Sequence, residues 1–178
     1  NNCKGNLAES IVNALYNAHV RRTRVYERHV DHFITCSPFA RQWLIDHRGL
    51  APGAISAIPH AVDIPASPAD PAAGRYIAYA GRIVPEKGIA TLLHAAELTG
   101  LPVKLARNVH HFVTVPLPPS VDLVTTYGKD DLAAFYRNAR MLVFPSEWFE
   151  TQGLVGAEAM SHGVPVVGAR IGAVCDLV

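Results

Sequence analysis

Charge is scarce in this chain. Only 17% of its 178 residues are Asp, Glu, Lys or Arg, and 16 basic against 15 acidic side chains leave a formal net charge of +1. That balance gives no electrostatic footing for nucleic acid or for a strongly anionic membrane, and no nucleic-acid partner is expected. Cysteine is scarce too. Cys3, Cys36 and Cys175 are far apart and odd in number, which makes neither a disulfide framework nor a zinc pattern. Cys36, inside an apolar run, reads as a small core residue, and a reducing, cytoplasmic setting fits this usage. No stretch reaches the roughly 18 apolar residues of a membrane span, and the amino end shows no signal peptide. No Gly-x-Gly-x-x-Gly follows an early strand, which disfavours a dinucleotide-dependent oxidoreductase. Repeats, low-complexity tracts and heptads are absent. An initiating Met is missing as well, so Asn1-Asn2-Cys3 reads like the middle of a longer protein.

What is present describes a globular α/β chain: 49% of the residues are hydrophobic, enough for one good core. Asn6 can cap a helix that carries Leu7, Ile11, Ala14, Leu15 and Ala18 on one side and continues through Val25 and Tyr26 to about Arg28. His19, Arg21, Arg22, Arg24 and Arg28 make it basic; a solvated face is the default reading, and a patch facing anionic lipid the alternative. Phe33 to Ser37 is a short strand, Pro38 opens a helix with Phe39, Trp43 and Leu44 that ends near Gly49, and Ile55 to Pro59 is another strand. Pro65 to Gly74 reads as an exposed linker. His60, just before it, reads as a hydrogen-bonding linker residue rather than a catalytic base.

Tyr76 to Ala80 is the next strand, followed by Gly81-Arg82-Ile83-Val84-Pro85-Glu86-Lys87-Gly88 and a helix with Ile89, Leu92, Leu93 and Ala96. Val103 to Ala106 and Val121 to Val124 are further strands. Between them stand His110 and His111, whose adjacent side chains face different ways, so no metal site is expected, and a Pro-rich loop or edge strand over Val113 to Pro119. Leu132, Phe135 and Tyr136 mark a helix that starts after Gly128. Arg140 to Phe144 is a buried strand ended by Pro145-Ser146. From about Gly153 a helix places Leu154, Ala157, Glu158 and Ser161 on one face; Gly163 stops it, and Val164 to Val167 is the next strand.

Two stretches carry chemistry. Gly81 permits a sharp turn, and Arg82 and Lys87 can converge on a diphosphate, Arg as a bidentate donor and Lys as a point charge. Taken alone the run could equally be a polar turn. In the second stretch, Glu150 lies in a loop and Glu158 on the more apolar helix side, where a carboxylate needs hydrogen-bond donors such as sugar or ribose hydroxyls. The amides of Thr151, Gln152, Gly153 and Leu154 point out of the helix start as an anion site. Gly153 and Gly156 would let a ligand approach the backbone. On spacing alone, Glu150 is a helix-start charge favoured by the dipole and Glu158 a carboxylate reaching solvent.

The full pattern Pro145-Ser146-x-x-x-Glu150-x-x-Gly153-Leu154-x-x-x-Glu158-Ala159-Met160-x-x-Gly163-x-Pro165-Val166-Val167 resembles the signature of retaining glycosyltransferases of the GT-B fold, family 4. Gly81-Arg82 with Lys87-Gly88 matches a second segment of that family. So does Ile58-Pro59-His60-Ala61-Val62-Asp63, its crossover between domains, with His60 where Asn is usual. The resemblance departs at Arg107-Asn108-Val109, where a Gly-x-Gly turn is expected, and after Gly172, where Asp176 stands near the place of an acidic residue.

The resemblance implies a Rossmann-like parallel sheet with crossover helices in a partial GT-B fold. Residues 1–63 would be the end of an acceptor-side domain, 64–74 a linker, and 75–178 an incomplete donor-binding domain. It implies transfer of a sugar from a nucleotide diphosphate sugar to a sugar or lipid-linked acceptor, with retention, in polysaccharide or glycoconjugate synthesis. The parent enzyme would be cytoplasmic, at the inner face of a membrane with peripheral contact. Glu150 would meet the donor sugar, Glu158 the ribose, and Arg82, Lys87 and the amides of the helix start the diphosphate, with no metal or further cofactor. The isolated chain would bind nucleotide without turnover; a non-catalytic nucleotide-binding module is the other reading. A sheet interrupted at both ends is expected to favour a homo-oligomer.

Overall fold

The computed structural model describes residues 6–108 and 116–178. Cys3, the His110-His111 pair and the first part of the Pro-rich segment from Val113 lie outside them.

The Asn6 side chain accepts hydrogen bonds from the amides of Ala8 and Glu9 and opens α1 (Leu7–Thr23). The helix does not run on to Arg28. Arg24 adopts the left-handed conformation at φ +50° and α2 (Val25–His29) starts afresh. At the break the Thr23 hydroxyl donates back to the His19 carbonyl at 2.8 Å, a local bond that weakens helix continuation. Arg24 then reaches the Gly49 carbonyl and Glu27 pairs with Arg48 at 3.3 Å, which fastens α2 to the end of α3 (Pro38–Arg48). The expected apolar side of α1 is open: Leu7, Ile11 and Leu15 are 67%, 51% and 66% exposed, and only Val20 of α1 is buried. Ser37 caps α3 rather than extending the strand before it, so β1 (Phe33–Thr35) is short. It pairs in parallel with β2 (Ile55–Ala57) through α3.

The larger sheet has five parallel strands in the order β5-β4-β3-β6-β7. They are β3 (Tyr76–Ala80), β4 (Val103–Asn108), β5 (Val121–Thr126), β6 (Ala139–Phe144) and β7 (Val166–Gly168). α4 (Ile89–Thr99), α5 (Lys129–Arg137) and α6 (Leu154–Ser161) are the crossovers, and α7 (Val174–Leu177) follows β7. Alternation along β3 explains why helices cover both faces. Tyr76, Ala78 and Ala80 pack with Phe135, Tyr136 and Ala159 on one side, while Tyr79 packs with Ile89, Leu92 and Leu105 on the other. The last strand starts two residues later than expected. Pro165 has no N–H for a ladder and instead offers its carbonyl to the Leu142 amide at 2.8 Å.

The segment before β3 is mostly exposed but not loose. Asp70 caps a single 3-10 turn over Pro71–Ala73, and the Ala69 amide donates to the His162 carbonyl at 2.6 Å. Strand order reverses between β3 and β6, so the crevice at their carboxyl ends is where a sheet of this kind admits a ligand. Both sequence stretches singled out for chemistry leave from there.

Candidate functional site

The loop after β3 ends at Gly88 and the loop after β6 begins at Pro145, and the two are bolted together. The Glu147 amide donates to the Glu86 carbonyl at 3.0 Å, and the Thr91 hydroxyl to Glu147 Oε1 at 3.1 Å. Gly88 is left-handed at φ +68°, and a Cβ there would stand 1.9 Å from the Pro145 carbonyl oxygen. Only a residue without a side chain lets the loops meet this closely.

That contact sets the position of Lys87 beside Glu150. The ammonium lies 2.5 Å from Glu150 Oε1, and the Ser146 hydroxyl donates to the same oxygen at 2.7 Å. The pair is shielded, with 19% of the Lys87 side chain and 13% of the Glu150 side chain exposed. Ser146 is 1% exposed. Below it the Tyr79 hydroxyl donates to the Arg82 carbonyl at 2.6 Å, and burial, then the Glu150 charge, push the Tyr79 phenol well above its ordinary range. Arg82 and Lys87 have different partners. The Arg82 guanidinium is largely exposed and lies 3.9 Å from Glu86.

Glu158 occupies a different environment. Half-buried on α6, it accepts a hydrogen bond from the Tyr136 hydroxyl at 3.2 Å. Burial first, then the Glu158 charge, raise the Tyr136 phenol. Glu158 and Leu154 face a cleft of about 480 Å³ whose other walls are the segment from Ala61 to Pro65 and α5. The face shared by Leu154 and Glu158 is therefore a cleft wall, and the helix packs on the core through Gly156 and Ala159. Across the mouth, Lys129 pairs with Asp63 at 2.8 Å; both side chains are largely exposed, and the contact lowers the Asp63 carboxyl and raises the Lys129 ammonium.

Among the described residues no protein acceptor takes the amides of Thr151, Gln152, Gly153 or Leu154. The Gln152 side chain, as distinct from its amide, is already engaged. Its Oε1 accepts from the His60 amide at 3.0 Å and its Nε2 donates to the His60 carbonyl at 3.2 Å. Gly153 is left-handed at φ +81°, which its place before the helix requires. Gly156 does not make room for a ligand as expected: a Cβ there would meet Leu177 at 2.7 Å and Phe144 at 3.7 Å, so the protein itself fills the space. Cys36 is not a core residue either. Its thiol donates to the Thr151 carbonyl at 3.3 Å, beside Phe39 stacked on Phe149 at 5.9 Å.

Three participants were not found from sequence. Ser146 was read as a strand break and as part of the family pattern but given no role, Tyr136 only as a core residue, and the Gln152–His60 tie links positions far apart in the chain. Ser146 alone left a local signal, a hydroxyl four residues before a loop carboxylate.

Comparison with known proteins adds the family. A family model described as "Glycosyl transferases group 1" matches residues 74–178, more than half of the chain. A D-inositol 3-phosphate glycosyltransferase of Saccharomonospora viridis is 32% identical over 172 residues, covering 84% of this chain and 37% of the relative. The sulfoquinovosyl transferase of Arabidopsis thaliana is 47% identical over 60 residues, 34% of this chain and 11% of the relative. Among solved structures, Anabaena HepE in complex with UDP-glucose superposes with a TM-score of 0.73 at 19% identity, covering 89% of this chain and 50% of that one. The chain spans at most half the length of any of these three proteins.

Proposed function

The chain belongs to the group 1 glycosyl transferases, and from that premise we propose that it carries the donor-binding portion of an enzyme that moves a sugar from a nucleotide diphosphate sugar to an acceptor with retention. The observation that supports this most is the shielded Lys87–Glu150 pair at the crevice where strand order reverses. A diphosphate entering there competes for Lys87, and Glu150, released from the ammonium, becomes an acceptor for sugar hydroxyls. Arg82 and the open amides of Thr151 to Leu154 add donors for charge that grows on the leaving diphosphate. Glu158, in its own cleft, takes the ribose. Arg82, Lys87 and the helix-start amides are the donors this reading relies on, with no metal among them, so nucleotide affinity is expected to survive EDTA.

UDP-sugars are the first donors to try, because HepE, similar in fold, is solved with UDP-glucose. The acceptor we assign is a sugar or lipid-linked sugar, in polysaccharide or glycoconjugate synthesis at the cytoplasmic face of a membrane. A second reading, a nucleotide-binding module without turnover, is favoured by Arg107-Asn108 standing where a Gly-x-Gly turn is usual. Calorimetry with UDP, GDP, ADP and their sugars, beside a turnover assay, tests both. Absence of binding to every nucleotide would overturn the donor assignment, and binding without any transfer by the whole protein would favour the module. Proton NMR of the anomeric linkage in the product decides retention.

A further inference from the structure

Two donors crowd one oxygen of Glu150, and among the described residues none reaches the other. Lys87 Nζ and Ser146 Oγ both bond Oε1, and no donor among the described residues reaches Oε2. These two donors differ in what they can do next. Lys87 is a flexible cation that an anionic ligand can draw away, whereas Ser146 is 1% exposed, follows a proline at the end of β6, and can turn to nothing else without losing its partner. Glu150 itself stands on a loop, and Gly172 lies against its backbone so closely that a Cβ there would be 2.8 Å from the Glu150 amide nitrogen. The Ala173 amide also donates to the Glu150 carbonyl at 2.9 Å. The main chain of Glu150 is thus pinned, and the aim of its carboxylate depends on Oε1.

We propose that Ser146 is a positioning residue for Glu150. It holds Oε1 while Lys87 turns to a diphosphate, so that Oε2 stays aimed at a hydroxyl of the donor sugar. This rests on the donor reading above for its ligand, but the hydrogen bond itself can be tested without any ligand. A hydroxyl that donates to a carboxylate oxygen is read out in the resonance of that carboxyl carbon. The charged neighbour of Glu150 is Lys87, and the buried Tyr79 phenol is affected by it from β3. Neither is altered by a change at position 146.

Carbon-13 NMR of the Glu150 carboxyl at one fixed pH, assigned through Glu150→Gln, compares its chemical shift in the wild type, Ser146→Ala and Ser146→Thr. Losing the Ser146 hydrogen bond moves the carboxyl resonance away from its wild-type position; Ser146→Thr, which keeps the hydroxyl, restores it. Should Ser146→Ala fold poorly, Ser146→Cys keeps the volume with a weaker donor and is expected to fall between the two. In titrations of the same variants, Ser146→Ala weakens a UDP-sugar about tenfold and leaves UDP within twofold, because only the sugar reads the aim of Oε2. An unmoved carboxyl resonance overturns the positioning role whatever the ligands do. A resonance that moves while UDP and its sugar lose affinity equally leaves Ser146 holding Glu150 and overturns the donor reading instead.

Discussion

Replacing Gly88 by Ala tests whether the two loops must touch for the site to exist. The residue is left-handed at φ +68°, and the added Cβ would fall 1.9 Å from the Pro145 carbonyl oxygen and 2.7 Å from its carbon. Both atoms are backbone, so no side chain can swing aside. The left-handed conformation alone costs an Ala about 1–2 kcal/mol, offset by about 0.4–1 kcal/mol from the narrower unfolded ensemble. Gly100 supplies the control: its φ is +64°, and a Cβ there meets nothing within 4 Å. Gly100→Ala should therefore lose about 1 kcal/mol. Gly88→Ala adds the displacement of a packed loop, about 1–3 kcal/mol for overpacking, and should lose about 2–4 kcal/mol in urea unfolding. Nucleotide affinity should fall with it, since Lys87 adjoins Gly88 at that contact. Equal losses for Gly88→Ala and Gly100→Ala would refute the claim that close approach, rather than backbone conformation, demands glycine at position 88.

Three further outcomes follow from the geometry. Tyr76, Tyr79 and Tyr136 all have phenols raised chiefly by burial; the unfolded chain then loses these protons first, so stability is intact below about pH 10 and falls as pH rises beyond it. Tyr136→Phe should make that alkaline slope shallower, and an unchanged slope would speak against burial as the cause. Gln152→Ala removes both bonds to the His60 backbone and should cost about 1–2 kcal/mol, with faster hydrogen exchange at the His60 amide; protection equal to the wild type would mean that the tie is not made. The open face of α1 formed by Leu7, Ile11 and Leu15 should drive self-association in sedimentation, so a clean monomer at high concentration would count against it.

Much of the fold was legible because the strands of the larger sheet are apolar runs bounded by Gly and Pro. Tyr76 to Ala80 and the helix from Ile89 were read to the residue or nearly so. The helix break at Arg24 was not, because nothing in a run of helix-compatible residues marks a non-glycine for left-handed backbone. The Pro165 carbonyl, bonded as if in the ladder, shows why its strand was placed early: the register includes a residue whose missing N–H keeps it outside. At the site, residue types were legible and pairings were not. Arg82 and Lys87 look equivalent in sequence, yet one faces solvent and the other is held by Glu150. Gly156 looked like space for a ligand, but Leu177, more than twenty positions later, fills it. Such facts depend on tertiary neighbours that no local pattern names.

The central claim is that Glu150 meets a donor sugar while Glu158 meets the nucleoside. Parallel titrations of Glu150→Ala and Glu158→Ala with UDP and with a UDP-sugar test it most directly. Glu158→Ala should weaken both ligands by about 1.5–3 kcal/mol, the range for a hydrogen bond to a charged group. Glu150→Ala should weaken the sugar-bearing ligand by a similar amount and leave UDP unweakened, since the freed Lys87 remains to meet the diphosphate. The same profile for both variants across the two ligands would contradict the account.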